Sequence, residues 1–258
     1  SLFRTAGRGG DGFMITTTIF PGRYVQGYQA LTQLGSELSR LGKKGLAILA
    51  PSAYKNLRAA LKAQTAGVME VEEESFNREC CETEIERLYE KGKRGGCDLI
   101  VGIGGGKTID TSKIVANRLN VPVAIVPTIA STDAPCSACA VVYNEEGAVQ
   151  YVISTRRNPD LVLVDTEIIA QAPVRFLVSG MGDALATWFE AESCKRTFSN
   201  NEAGGKGSLT AYALARLCHD TLLEYGVAAK LSCEAGVATT ALEHIVEANT
   251  LLSGLGFE

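Results

Sequence analysis

Nine consecutive residues, Gly102-Ile103-Gly104-Gly105-Gly106-Lys107-Thr108-Ile109-Asp110, combine glycines, a lysine and an acid in the pattern of an anion-binding turn. Four glycines in five positions let an anion reach the backbone where any Cβ would collide. Such a turn, placed between a strand and a helix, presents backbone N–H groups and a positive helix end to a phosphate. The chemistry suggested is the seating of a nucleotide pyrophosphate. Two better-known loops are excluded by spacing. A Walker A loop needs glycine where Val101 stands, and a GxGxxG fingerprint needs glycine where Lys107 stands. A glycine-rich turn that binds nothing is the plainer alternative.

Two further stretches carry candidate side chains. Pro127-Thr128-Ile129-Ala130-Ser131-Thr132-Asp133-Ala134-Pro135 is dense in hydroxyls. Thr128, Ser131 and Thr132 can donate to phosphate or ribose oxygens, and Asp133 can accept from a substrate hydroxyl. The same composition also suits a loop that satisfies its own backbone. Gly180-Met181-Gly182-Asp183 precedes a helical pattern, where an acid ordinarily caps the helix or complements its dipole. Cys136 and Cys139 have CxxC spacing, but no second ligand pair and no thioredoxin-like setting accompany them. The two histidines, His219 and His244, each fall within a helical pattern where a structural role is the default. No GxSxG elbow is present, and no glycosidase carboxylate pair can be picked out by spacing.

The elements that must hold these residues follow from hydrophobic patterning. Met14 to Phe20 reads as a first strand, closed by Pro21-Gly22, and Gln29 to Leu41 as a helix. Gly45–Ala50, a segment around Val68 to Val71, Cys97–Val101 and Val121–Val126 read as strands. Helices at Tyr54–Ala63, Glu82–Lys93 and Thr108–Leu119 alternate with them. This alternation, with strands apolar on both faces, predicts an α/β fold with a parallel sheet covered on each side. Ligands in such sheets lie beyond the carboxyl ends of the strands, where the glycine loop and the Thr128–Asp133 loop both start. Val141–Tyr143 and Val149–Ile153 predict a hairpin, and Leu161–Asp165 a last strand. From Thr166 onward the pattern is helical. The expected division is therefore an α/β dinucleotide-binding domain over 14–165 and a helical domain over 166–258.

Residues 1–13 stand apart, with Arg4, Arg8 and four glycines, and suggest a leader or tag without order of its own. A net charge of −4 excludes an electrostatic case for nucleic acid, and no apolar run approaches transmembrane length. The eight cysteines are scattered rather than framed, which favours free thiols in a reducing compartment. A cytoplasmic location is expected, or a mitochondrial one if the leader is a transit remnant.

Three motifs in order, GGGKTID, PTIASTDAPCSA and GMGDALATWFEA, resemble the glycerol dehydrogenases of the metal-dependent (iron-containing) alcohol dehydrogenase superfamily. The resemblance continues through NPDLVLVDT and EANTLLSGLGFE and covers nearly everything after the leader. It implies an N-terminal domain binding NAD, a helical C-terminal domain and a divalent metal, Zn²⁺ or another, in the cleft between them. Glycerol would be oxidised to dihydroxyacetone, the metal lowering the pKa of the reacting hydroxyl. The resemblance assigns cofactor contacts to Gly105, Gly106, Lys107, Thr108 and Asp110, and further ones to Thr128, Ser131, Ser137 and Tyr143. Asp133 falls on the substrate-contacting acid and Asp183 on the carboxylate metal ligand. A homo-oligomer is implied as well.

Two departures bear on these expectations. The acid that normally follows the second strand and holds the adenine ribose is replaced by Pro51 and Ser52, which leaves NAD against NADP open. The superfamily's two metal-binding histidines lie downstream of the GFE segment, and His219 and His244 do not fall on them. With Asp183 alone the metal site is incomplete, since a catalytic zinc takes three protein ligands. The chain is thus expected to be a truncated form with weak or absent turnover, with apolar surface left uncovered in its helical domain. A catalytically silent nucleotide-binding or scaffold protein, or a dehydrogenase for another polyol or a glycerol phosphate, is the alternative.

Overall fold

The computed structural model describes residues 15–257; the proposed leader at 1–13 lies outside them. The chain opens on β1 (Tyr24–Gly27), a 3₁₀ turn at Ala30–Gln33 and the short α1 (Leu34–Leu38). β2 (Lys44–Leu49) leads into α2 (Pro51–Asn56) and α3 (Arg58–Thr65), then β3 (Glu70–Ser75) and α4 (Glu82–Gly95). β4 (Leu99–Gly104) and α5 (Gly106–Leu119) flank the glycine turn, and β5 (Val123–Pro127) follows. A hairpin of β6 (Cys139–Tyr143) and β7 (Val149–Ser154) precedes β8 (Leu161–Asp165).

Six strands form one parallel sheet in the order β1-β8-β5-β4-β2-β3, with β6 and β7 paired antiparallel beside it. The period-two alternation of the strands explains the layering. Leu46, Ile48, Ile100 and Ile125 face Ile85 and Leu88 of α4, Ile109 and Ile114 of α5, and Val142 of the hairpin. Their neighbours Ala47, Leu49, Val101, Val126 and Leu163 face Leu34, Leu38 and Leu61 on the opposite side.

The rest is helical: α6 (Thr166–Ala170), α7 (Val174–Thr197), α8 (Leu209–Glu234) and α9 (Thr240–Glu247), then a π-helical turn at Ala248–Leu252 and α10 (Ser253–Phe257). The helical part is not a separate bead. Val162 and Val164 of β8 share a core with Leu177 of α7, Leu222 of α8 and Ile245 of α9. No helix among the described residues is long and apolar enough to cross a membrane.

Several local expectations are corrected. The first strand lies beyond Pro21-Gly22 at Tyr24–Gly27, whereas the described part of the Met14–Phe20 stretch has only an isolated bridge from Thr16 to Lys206. Tyr24–Gly27 pairs with β8 because that edge of the sheet would otherwise be bare. β3 runs to Ser75 rather than stopping at Val71. Its glutamates occupy a sheet edge and are held by cations: Glu70 and Glu72 by Lys44, Glu73 by Arg58 and Glu74 by Arg87. The Gly180–Asp183 stretch does not open a helix but lies inside α7, so Asp183 is no N-terminal cap.

Candidate functional site

The glycine turn joins the end of β4 to the start of α5, with Gly105 as an extended N-cap residue and no side chain capping the helix. The N–H groups of the first helical turn have no partner within the helix and point to the carboxyl edge of the sheet. Thr128 N–H donates to Gly104 O at 3.0 Å, so the loop after β5 leaves the sheet directly beside the glycine turn. On the other side, Ala50 N–H donates to Ile103 O at 2.9 Å and brings Pro51 to the same edge.

The four glycines divide by purpose. A Cβ on Gly102 would stand 2.5 Å from Ser112 Oγ, and one on Gly104 would stand 2.7 Å from Ala50 Cβ and 2.9 Å from Thr108 Oγ1. These two glycines let α5 fold back against its own strand, and Thr108 is buried in that contact. A Cβ on Gly106 would meet nothing nearer than Thr132 Cγ2 at 3.5 Å. A Cβ on Gly105 would stand 2.8 Å from Ile129 Cδ1, so the open part of the cradle is Gly106 alone, narrower than the glycine count implied.

Lys107 stands at the mouth of this cradle. Its Nζ lies 2.6 Å from Glu79 Oε2 and 4.6 Å above the ring of Tyr143. Burial and the nearby Asp110 carboxylate push the Tyr143 phenol above its ordinary pKa. Asp110 itself is turned inward. Its Oδ2 accepts from Val141 N–H at 3.0 Å, and its Oδ1 lies 2.9 Å from Lys113 Nζ. Lys113 is a residue that sequence reasoning missed. Fully buried, it donates to Ala134 O at 2.9 Å, to Ser137 O at 3.4 Å and to Cys139 O. It thereby bolts α5 to the segment leading out of the Asp133 loop. Ser137 lies buried beside the ammonium at 3.5 Å, away from the open cradle. The only signal in the sequence was the i,i+3 spacing of Asp110 and Lys113.

The hydroxyl-rich loop is pressed against α7. A Cβ on Gly180 would fall 2.0 Å from Ala130 O, so only glycine permits the approach. Asn249, carried on the π-helical turn, completes the contact by donating Nδ2 to Ala130 O at 2.9 Å and to Leu177 O at 3.1 Å. Single π turns of this kind recur where a helix must aim a side chain. Thr128 and Ser131 are half-buried on this loop. At its end Asp133 N–H donates to Asp183 Oδ2 at 3.3 Å, bringing together two acids that are 50 residues apart. Ser253 Oγ donates to Asp133 Oδ2 at 3.0 Å, and Thr187 Oγ1, one turn beyond Asp183 on α7, lies 2.9 Å from Ser253 Oγ. Ser253 and Thr187 are buried and were not anticipated.

The other candidates do not join this group. His219 lies against Trp188 and Phe189 with Nδ1 3.1 Å from Asp220, and His244 packs on Tyr225. Cys136 is buried and Cys139 half-buried, neither is in a disulfide, and burial raises the Cys139 thiol. Among the described residues, no three of His, Cys, Asp and Glu gather as a metal-binding set.

A model of the family described as iron-containing alcohol dehydrogenase matches residues 21–166. A glycerol dehydrogenase of Thermotoga maritima is 58% identical over 245 residues, which is 95% of this chain and 67% of the relative. One from Escherichia coli is 48% identical, over 92% of this chain and 65% of the relative. The solved structure of a probable glycerol dehydrogenase from Sinorhizobium meliloti superposes with a TM-score of 0.90 at 43% identity, covering 95% of this chain and 67% of that one. The chain spans about two thirds of the length of these relatives.

Proposed function

The chain belongs to the iron-containing alcohol dehydrogenase family, and from that membership we propose that the protein oxidises glycerol to dihydroxyacetone with NAD as the acceptor. The observation that carries the reading is the hydrogen bond from Asp133 N–H to Asp183 Oδ2 at 3.3 Å. It sets the proposed substrate acid and the proposed metal ligand side by side, on a loop that leaves the sheet next to the glycine cradle. Residues 14–165 are read as the dinucleotide-binding domain and 166–258 as the metal and substrate domain.

In this reading Gly105, Gly106 and Lys107 receive the pyrophosphate, and Thr128, Ser131 and Tyr143 line the path of the dinucleotide. The open backbone at Gly106, the Cβ-free Gly105 beside it and the helix end suit that group. When bound, NAD supplies a hydride acceptor. Asp133, oriented by Ser253, accepts a hydrogen bond from a polyol hydroxyl and fixes the reacting carbon, which is the protein's main contribution to alignment. Asp110, Thr108 and Ser137 support the loops from beneath. A metal is a different matter. Asp183 offers one carboxylate, and the described residues add no further donor set around it. They do not make a metal site by themselves, and no step is assigned through one.

That shortfall favours a second reading for this chain on its own, as a nucleotide-binding module without turnover. Calorimetry with NAD and with zinc, alongside glycerol-dependent formation of NADH, separates the readings. The expected outcome is NAD binding with weak or absent turnover. Robust turnover with zinc retained would show that the donor set is complete after all. Failure to bind NAD would remove both readings.

A further inference from the structure

The carboxylate of Glu79 has no place in the reading above, yet it sits at the mouth of the cradle. Glu79 lies in the loop after β3, and two backbone contacts fix it there. Its Oε1 accepts from Cys80 N–H at 3.0 Å, and Cys80 O accepts in turn from Tyr143 N–H at 2.8 Å. Its Oε2 holds Lys107 Nζ at 2.6 Å. Of this pair Lys107 is the more exposed partner, with a side chain 44% exposed against 22% for Glu79.

We propose that Glu79 is a built-in competitor for the cofactor's pyrophosphate, holding Lys107 in the free protein and surrendering it when a dinucleotide arrives. The inference rests on the reading of Gly105–Lys107 as the pyrophosphate seat. A lysine ammonium has three donors and can be shared between a carboxylate and a phosphate, but attraction given to one is drawn from the other. To turn toward a pyrophosphate Lys107 must give up part of its contact with Glu79, and that lost ion pair is the competition. Tyr143, whose ring already lies under Nζ, offers the ammonium a surface during that movement. Glu79 therefore weakens dinucleotide binding and speeds release, a useful property where product departure limits turnover. Half-exposed pairs of this type are weak and screened by salt, so the competition is partial and depends on ionic strength.

The test uses the 258-residue chain with NAD, ADP and inorganic pyrophosphate as calorimetric probes. Glu79→Gln should tighten NAD and ADP binding roughly three- to fivefold at low salt, as expected for removing one partly exposed charge. The gain should shrink in about 1 M salt, where the Debye length is about 3 Å. Lys107→Met should weaken binding, and adding Glu79→Gln to it should change affinity by no more than about twofold, because the competition acts through Lys107. Thermal unfolding of each variant without ligand confirms that the fold is kept. If wild type binds NAD and Glu79→Gln binds it equally or more weakly, the competitor is refuted and the seat stands. An equal gain in the Lys107→Met background also refutes it, since the effect would then be plain repulsion. If no form binds any of the three probes, the seat itself is wrong and the competitor falls with it.

Discussion

Behind the carboxyl end of β4, Asp110 and Lys113 of α5 are sealed inside the chain, whereas on α7 Asp183 stands in solvent. Lys113 and Asp110 lie under the glycine loop, paired with each other and with backbone from the next loop and the hairpin. Asp183 is exposed and accepts from the Asp133 backbone N–H, and its helix shows Val178, Leu185 and Phe189 to solvent. Further along, Leu223 of α8 is 70% exposed and Val227 77%. A cavity of about 830 Å³ opens between the end of α7 and the start of α8, lined by Glu190, Phe198, Leu209 and Tyr212. The two regions are equally regular in secondary structure, so regularity is not what separates them. A cofactor seat built from loops at strand ends finds its supports locally, through α5 and a hairpin. A donor on a helix face depends on whatever packs against that face, and the described residues leave it open.

The largest expected effect tests whether the cofactor end is as sealed as this contrast requires. Asp110→Asn leaves a buried ammonium without its counter-charge, which costs about 3–5 kcal/mol in comparable buried pairs. A drop of that size in unfolding free energy, measured by urea titration, is expected, together with loss of NAD binding. The loss in binding should follow from the shift of the Ala134–Cys139 segment that Lys113 holds. A cost below about 1 kcal/mol would place the pair in the class of exposed ion pairs and break the contrast.

The second effect falls on the seam between the regions. Gly180→Ala would drive a methyl to 2.0 Å from Ala130 O and 2.5 Å from Asn249 Nδ2. The backbone on the other side cannot give way as a side-chain tip could, and about 1–3 kcal/mol of destabilisation is expected. Because Ala130 precedes Asp133 in the same loop, the Asp133–Asp183 hydrogen bond should be disturbed too. A crystal structure or backbone amide spectrum showing Asp133 unmoved would mean that the seam does not position the acid.

The same glycine explains why part of the site was hard to read. Gly180 and Gly182 punctuate the sequence like the end of a loop, so Asp183 reads as a helix-starting acid. The helix in fact runs through them, because Gly180 answers to a tertiary contact invisible in local pattern. β2, β4, β5 and β8 were legible because burial on both faces forces uninterrupted apolar runs, and the α/β character and parallel sheet followed from them. β3 was only half legible, since an edge strand can carry glutamates wherever cations such as Lys44 and Arg58 stand opposite. Lys113 reads as an ordinary polar position on α5; nothing in a single sequence marks a lysine as buried. The pairing of Asp133 with Asp183 lies 50 residues beyond the reach of spacing and entered only through motif resemblance.

A third effect compares one thiol from each region. Burial pushes Cys80, beside α5, up to about 12, and does the same to Cys218 within the helical core. Folding therefore favours the protonated thiol at both sites. The stability this contributes is fully present below the ordinary thiol pKa near 9 and is lost as pH rises from there toward about 12. The expected slope is about 1 kcal/mol per pH unit per thiol above that point. Urea midpoints taken across this window should fall, and Cys80→Ala and Cys218→Ala should each flatten part of the fall. If only Cys80→Ala does so, the helical core is looser than its packing indicates.

The smallest effect bears on the open face itself. Gly182 lies two residues from Gly180 on the same helix, next to Asp183, and a Cβ there would meet nothing within 4 Å. In a helix interior glycine is less favourable than alanine by about 0.5–1 kcal/mol, mainly through backbone entropy. Gly182→Ala should therefore stabilise this chain by about that amount, with NAD affinity unchanged. The sign is the informative part. Stabilisation means that the face of α7 around Asp183 is bare in the protein under test. Destabilisation, or a mass by light scattering that falls when the methyl is added, would mean that a second surface packs closely on Gly182. In that case the residues needed to surround Asp183 come from that surface, and the incomplete donor set is a property of the isolated chain rather than of the site.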